Sequence, residues 1–265
     1  MNFNFFTPIK STMVAHLMSQ SQTSLGHKVQ IHTSENGFPD LSEVNIAIIG
    51  IKDGRGTNNN EGCGEELQYI REKLYELFPG NWHTQIADLG NIEQGSTIKD
   101  TIFAVASSIE ALLKKNIIPI LIGGSQDITY ANYRAYDSLE QTVNLVSVDS
   151  RFDIGAIDEE LSSKSFLSKV IMEQPNNLFN YSNIGYQTYF NSQEEIQLLD
   201  KLYFDAFRLG EVKDVTLVEP IMRDADIVSV DIGCIRQSEA PANGNASPNG
   251  FYGEEICAIA RYAGI

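Results

Sequence analysis

Residues 117–127 read Ile117-Ile118-Pro119-Ile120-Leu121-Ile122-Gly123-Gly124-Ser125-Gln126-Asp127: the most apolar run in the chain stops abruptly at a glycine pair and a polar cluster. A short β-branched run closed by glycines reads as a strand followed by a sharp turn. The same pattern recurs twice downstream. Val143 to Val148 runs into Asp149-Ser150-Arg151-Phe152-Asp153, and Ile227 to Val230 runs into Asp231-Ile232-Gly233.

Between and before these runs lie segments of helical period. In Ser96 to Asn116, Ile98, Ile102, Val105, Ile109, Leu112 and Leu113 share one face. Ser96 or Thr97 is placed to cap its start, and Lys114-Lys115 suit the negative end of its dipole. Helices are also predicted over 65–78, 128–138, 192–201 and 251–263, and strands over 44–49, 85–89, 183–189 and 204–209. Strands alternating with helices predict one three-layer α/β/α domain with a mainly parallel, doubly wound sheet. In such a sheet, ligands gather beyond the carboxyl ends of the strands. Singly, Gly123-Gly124 is an ordinary turn and a terminal Asp an ordinary helix cap. Three such ends in order carry more weight.

Composition narrows the function classes. With 265 residues and 42% hydrophobic residues, the chain is not disordered. Acidic residues outnumber basic ones 35 to 19, a formal charge of -16, which opposes binding to nucleic acid or an anionic membrane. Cys63, Cys234 and Cys257 are far apart and form no CxxC pair, so a disulfide framework is not expected and a reducing cytoplasm is. The start, Met1 to Pro8, lacks the charged and apolar regions of a signal peptide, and no run is long enough to cross a bilayer.

The three strand-end clusters together resemble the arginase, agmatinase and formimidoylglutamase group of manganese ureohydrolases, whose hallmarks are GGxH, DAHxD and SxDxD. The loop Ala240-Pro241-Ala242-Asn243-Gly244-Asn245-Ala246-Ser247-Pro248-Asn249-Gly250-Phe251 is similar to the family's proline- and glycine-rich loop leading into a helix. The resemblance runs from about Val44 to the end, nearest to the formimidoylglutamase-like branch. It implies a single ureohydrolase-like domain over 1–265, with 1–43 as an N-terminal segment and the family's C-terminal strands absent. It also implies a homo-oligomer. The family activity is metal-assisted hydrolysis of C–N bonds in linear amidines or guanidines, through a hydroxide bridging two Mn²⁺ ions held by two His and four Asp.

Residue by residue, the ligand set departs from that pattern. Gln126 stands at the first His position, Arg151 at the second, and Gly233 at one Asp position. Asp149, Asp153 and Asp231 are the retained metal positions, and Asp153 is the retained candidate for catalysis. Gly123, Gly124, Gln126 and Arg151 are the candidate binding residues. Arginine stays protonated in proteins and cannot ligate a metal. Arg151 is therefore expected to supply a fixed positive charge among the three carboxylates, bonding two of them as a metal would. All four histidines (His16, His27, His32, His83) precede position 84, and the family's loop histidine has no counterpart from Asp158 to Met172. His83, beside Trp82, is expected to be half-buried.

These substitutions predict no cofactor, with Mn²⁺ only where the family activity persists. The readings left open are a non-catalytic binding, assembly or regulatory protein, an amidine hydrolase with a reduced or atypical metal site, and a sensor taking a small guanidino or carboxylate ligand beside Arg151.

Other motifs weigh less. Gly54-Arg55-Gly56 lacks phosphate-loop spacing and reads as a mobile surface loop. Ser125 and Ser150 lack a nucleophile elbow. Cys234 reads as a buried structural thiol, and Tyr130, Tyr133 and Tyr136 as packing residues.

Overall fold

The structure is a computed structural model that describes residues 3–156 and 160–264. The chain divides into two compact units, Met1–Gly56 with Glu61–Ala131, and Thr57–Asn60 with Asn132–Ile265.

The first unit is built on β1 (Phe6–Thr7), α1 (Ser11–Met18), β2 (Gln30–Ile31), β3 (Ile46–Lys52), α2 (Leu67–Tyr75), β4 (Ile86–Glu93), α3 (Ile98–Leu113) and β5 (Ile118–Ile122). Its sheet has the order β1-β4-β3-β5, with β2 also on β4; all pairs are parallel except β1 on β4. Central β3 buries Ala47, Ile48, Ile49 and Ile51. The α3 helix begins at a capping box in which Thr97 accepts from the Asp100 backbone and Asp100 returns the bond. Its buried stripe is Thr101, Ala104, Val105, Ser108, Ile109 and Leu112, turned slightly from the predicted face. Within this unit Arg71 is fully buried against Asp88, with Nε donating to Oδ2 at 2.6 Å and Nη2 to Oδ1 at 3.1 Å. Although β5 is the most apolar strand, it ends the order among the described strands, paired with β3, and its Ile118 is 62% exposed.

The unit boundary falls inside α4 (Ile128–Arg134). The second unit follows with β6 (Val143–Val148), α5 (Phe166–Met172), β7 (Leu178–Tyr186), α6 (Gln193–Lys201), β8 (Asp205–Arg208), α7 (Glu219–Met222), β9 (Ile227–Val230) and α8 (Gly253–Ala263). Its four strands are all parallel, in the order β8-β7-β6-β9. Val146, Val148, Ile184, Val218, Met222, Phe251 and Ile259 belong to one core cluster. α6 starts at the Ser192–Glu195 capping box and α8 at Glu255, whose carboxylate accepts from the Tyr252 backbone at 2.7 Å. Tyr133 and Tyr136 are buried, consistent with packing.

The architecture is thus mixed α/β with mainly parallel sheets, as expected. Four details differ. β7 starts at Leu178 rather than near 183, and α5 forms in a stretch without clear periodicity. His83 is exposed rather than half-buried, beside a Trp82 that is 76% exposed. The loop at Gly54-Arg55-Gly56 is not a surface loop: both glycines are buried, and Arg55 donates from Nε and Nη2 to Asp53 at 3.0 and 2.6 Å.

Candidate functional site

In the second unit, ladder register brings the acidic strand ends together. Val148 of β6 pairs with Ile184 of β7 on one side and Val230 of β9 on the other. The backbone N–H of Asp149 then donates to the Ile184 carbonyl at 3.0 Å, and that of Asp231 to the Val148 carbonyl at 3.1 Å. Asp149 and Asp231 therefore leave neighbouring strands at the same level. Asp153 turns back toward them through a left-handed backbone conformation, φ 56°, unusual for a residue other than glycine.

Burial dominates the electrostatics. The Asp153 carboxyl is held well above its ordinary range, first by desolvation and then by the charges of Asp149 and Asp231, with Arg151 pulling the other way. Asp231 is also raised by burial, against the Gly233 backbone N–H and the Arg151 charge, which lower it. The Cys234 thiol is pushed well up by burial and by Asp149 and Asp231, and the residue is buried. That suits the structural role expected of it and opposes a nucleophilic one.

Among the described residues the Arg151 guanidinium bonds no carboxylate, whereas the sequence led to the expectation that it would bond two. Its backbone N–H donates to Asp149 Oδ1 at 2.9 Å, but its guanidinium turns aside. Nη1 donates to the Phe190 carbonyl at 3.0 Å, and the guanidinium carbon lies 4.4 Å from the centroid of the Phe190 ring. The carbonyl and the ring face offer the cation two favourable contacts without the full desolvation that the buried Asp153 would impose. Its charge still acts on Asp153 and Asp231, lowering both against burial. Among the described residues, no group of three or more His, Cys, Asp or Glu side chains is arranged to hold a metal ion.

The remaining candidates, Gly123, Gly124 and Gln126, lie in the first unit. Gly123 and Gly124 both adopt left-handed backbones, φ 78° and 76°, and a Cβ on Gly123 would meet Leu67 Cδ2 at 2.2 Å. The pair makes the sharp turn that its sequence predicts. Next to Gln126, Asp127 is buried, its Oδ1 has no hydrogen-bond partner among the described residues, and its carboxyl is raised chiefly by desolvation. Gly56 lies so close that a Cβ there would sit 2.0 Å from that oxygen. Asp158, at the start of the stretch without a loop histidine, lies outside the described residues.

Sequence reasoning missed a polar row under the acidic cluster. Ser147 of β6 pairs in register with Ser229 of β9 and with Asn183 of β7. Asn183 Nδ2 donates to the Arg151 carbonyl at 2.8 Å, while among the described residues the buried Asn183 Oδ1 has no hydrogen-bond partner. A rim of Gln187, Tyr189 and Asn249 was also missed; Asn249 Nδ2 donates to the Tyr189 hydroxyl at 2.9 Å and to Gln187 Oε1 at 3.2 Å. The signal was the ladder register, readable only once β7 is known to begin at Leu178.

Residues 44–264 match the arginase family. The chain belongs to the arginase family. It is 26% identical over 236 residues to a formimidoylglutamase of Streptococcus gordonii, a match spanning 80% of this chain and 70% of that protein. Among solved structures it is similar to Trypanosoma cruzi formiminoglutamase with Mn²⁺ (TM-score 0.71, 18% identity, 84% of this chain and 82% of that one). It is likewise similar to the agmatine ureohydrolase of Thermoplasma volcanium (TM-score 0.72, 20% identity, 94% and 84%). At these identities the structural likeness shows the arginase-like fold. No helix among the described residues is long and apolar enough to cross a membrane.

Proposed function

We propose that this arginase-family protein is a non-catalytic member of the ureohydrolase superfamily, acting in binding, assembly or regulation, and that its strand-end cluster does not assemble the family's binuclear manganese centre. The observation that carries this reading is Arg151. A permanent cation stands where the family places an imidazole ligand, anchored to Phe190 beside the acids a metal would need. Gln126 and Gly233 remove two further donors. A manganese site of hard oxygen and imidazole ligands does not fit the residues present. In this reading the protein works as a homo-oligomer in a reducing cytoplasm, where its free cysteines stay reduced.

The test is direct. Metal-free protein is loaded with Mn²⁺, washed and analysed for bound metal, then assayed for ammonia, formamide or urea release from linear amidines and guanidines. No stoichiometric metal and no turnover are expected. Stoichiometric Mn²⁺ that Asp149→Ala abolishes overturns the proposal.

A second reading has its own support, because Asp149 and Asp231 keep their register at adjacent strand ends and the relatives include formimidoylglutamases. It is a hydrolase of a formiminoglutamate-like amidine with a reduced or atypical metal site. Turnover of that substrate in the same assay selects it.

A further inference from the structure

Parallel sheets are covered on both faces, so their inner strands are ordinarily apolar along their whole length. The second unit departs from this at the amino ends of β6 and β7, the two inner strands of its sheet. Asn144 of β6 pairs in register with Asn180 of β7, and Val146 with Ser182, which pairs in turn with Asp205 of β8. Residues two apart on a strand share a face, so Asn144, Asn180, Ser182 and Asp205 make a polar patch on the face that carries Val146. Toward the carboxyl ends that face is closed by the core in which Val146, Val148 and Ile184 pack with Met222 and Phe251. Toward the amino ends it opens into a cavity of about 640 Å³, lined also by Phe179, by Ile221 of α7 and by Asp224 just beyond that helix. A polar patch in the middle of a parallel sheet breaks the local rule of the fold, and such breaks are expected where function demands them.

The charge of this cavity has one sign. Asp205 and Asp224 line it, and no Lys, Arg or His does so among the described residues. Asp205 is held by Oδ2, which accepts from Asn180 Nδ2 at 3.1 Å and from Ser182 Oγ at 3.5 Å, so Oδ1 remains for another donor. Asp224 forms no ion pair among the described residues, because neighbouring Arg223 turns to Glu219 at 2.8 Å. Apolar surface stands beside these acceptors, including a Phe179 that is 72% exposed. We propose that the cavity binds a primary organic amine with an apolar body. Its ammonium donates to Asp205 Oδ1 under the added charge of Asp224, and its hydrocarbon part lies against Phe179 and Ile221. A bare metal ion is a poorer fit, since no three His, Cys, Asp or Glu side chains are grouped to hold one among the described residues. The site is separate from the acidic strand ends: Asp149 follows the carboxyl end of β6, and Asn144 stands near its amino end, about 16 Å away at the rise of a strand. The inference is therefore independent of whether those acids hold a metal.

The experiment titrates the full chain with phenethylamine and butylamine, and with 2-phenylethanol, phenylacetate and Mg²⁺ as controls for charge and shape. Calorimetry gives the affinities. The side-chain amide resonances of the ¹⁵N-labelled protein give the place, and those of Asn144 and Asn180 are expected to shift. Phenethylamine is expected to bind more tightly than butylamine and about tenfold more tightly than neutral 2-phenylethanol, with no binding of phenylacetate. Asp205→Asn and Asp224→Asn, both at exposed positions, are each expected to weaken amine binding about fivefold to tenfold. Phe179→Ala should remove the advantage of phenethylamine over butylamine. No binding of either amine, equal binding of 2-phenylethanol, displacement of the amine by equimolar Mg²⁺, or undiminished binding by both carboxylate variants overturns the inference. So do amide shifts that leave Asn144 and Asn180 unmoved.

Discussion

The guanidinium carbon of Arg151 lies 4.4 Å from the centroid of the Phe190 ring, while Nη1 of the same group donates to the Phe190 carbonyl. One residue thus supplies both an acceptor and a π-face to the only basic side chain placed in the acidic cluster's sequence segments. A half-buried contact of this kind contributes about 0.5–1 kcal/mol through the ring alone. Phe190→Leu removes the ring but keeps the carbonyl, so it is expected to lower stability by this amount plus a packing term of similar size. A double-mutant cycle with Arg151→Gln, read by chemical denaturation, isolates the pair, and a coupling of about 0.5–1 kcal/mol is expected. Zero coupling would show that Phe190 merely borders the guanidinium.

How far the molecule could be read from its sequence follows from the range of the interactions involved. Ile227 to Val230 appears as β9 with unchanged bounds, because a β-branched run ending at an acid is a local signal. The cap at Ser96 or Thr97 was legible for the same reason, and the structure places it at Thr97, completed within three residues. The start of β7 was not, because Asn180 and Ser182 break the apolar pattern; Asn180 bonds Asp205 on the neighbouring β8 at 3.1 Å. The direction of Arg151 was also hidden. Its acceptor lies 39 residues downstream, on a carbonyl that no side-chain pattern announces. Identity of the strand-end acids was therefore available from sequence, while the placement of the charge beside them was a tertiary outcome.

Asp53 gives a prediction about pH. Burial alone would raise its carboxyl, but hydrogen bonds from the Arg55 side chain and Thr101, with the Arg55 backbone and charge, outweigh burial and hold it below its ordinary value of 3.8. A carboxyl whose folded pKa is depressed contributes stability above the unfolded pKa and loses it as pH falls through the folded value. The parent is thus expected to exceed Asp53→Asn in stability by about 1–3 kcal/mol at neutral pH. That difference should hold down to the ordinary carboxylate range and shrink below it. Denaturation curves at stepped pH check this, and a gap that widens with acid would refute the assigned sign.

Gly123 supports a prediction that separates backbone strain from crowding. Its φ of 78° lies in the left-handed region, and a Cβ there would come within 2.2 Å of Leu67 Cδ2 and 3.1 Å of the Cys63 carbonyl. Gly80 has a similar φ of 63°, but a Cβ there would meet nothing within 4 Å. Gly80→Ala should therefore cost only the left-handed penalty, about 1–2 kcal/mol. Gly123→Ala adds overpacking of about 1–3 kcal/mol, because Leu67 is buried and the carbonyl cannot retreat without moving the loop. Replacing Leu67 by Ala in the Gly123→Ala background vacates the leucine methyl and should recover part of the second cost but none of the first. Equal losses at Gly80 and Gly123, measured by chemical denaturation, would mean that the turn after β5 is held by backbone conformation alone, with no contribution from the side chain packed beneath it.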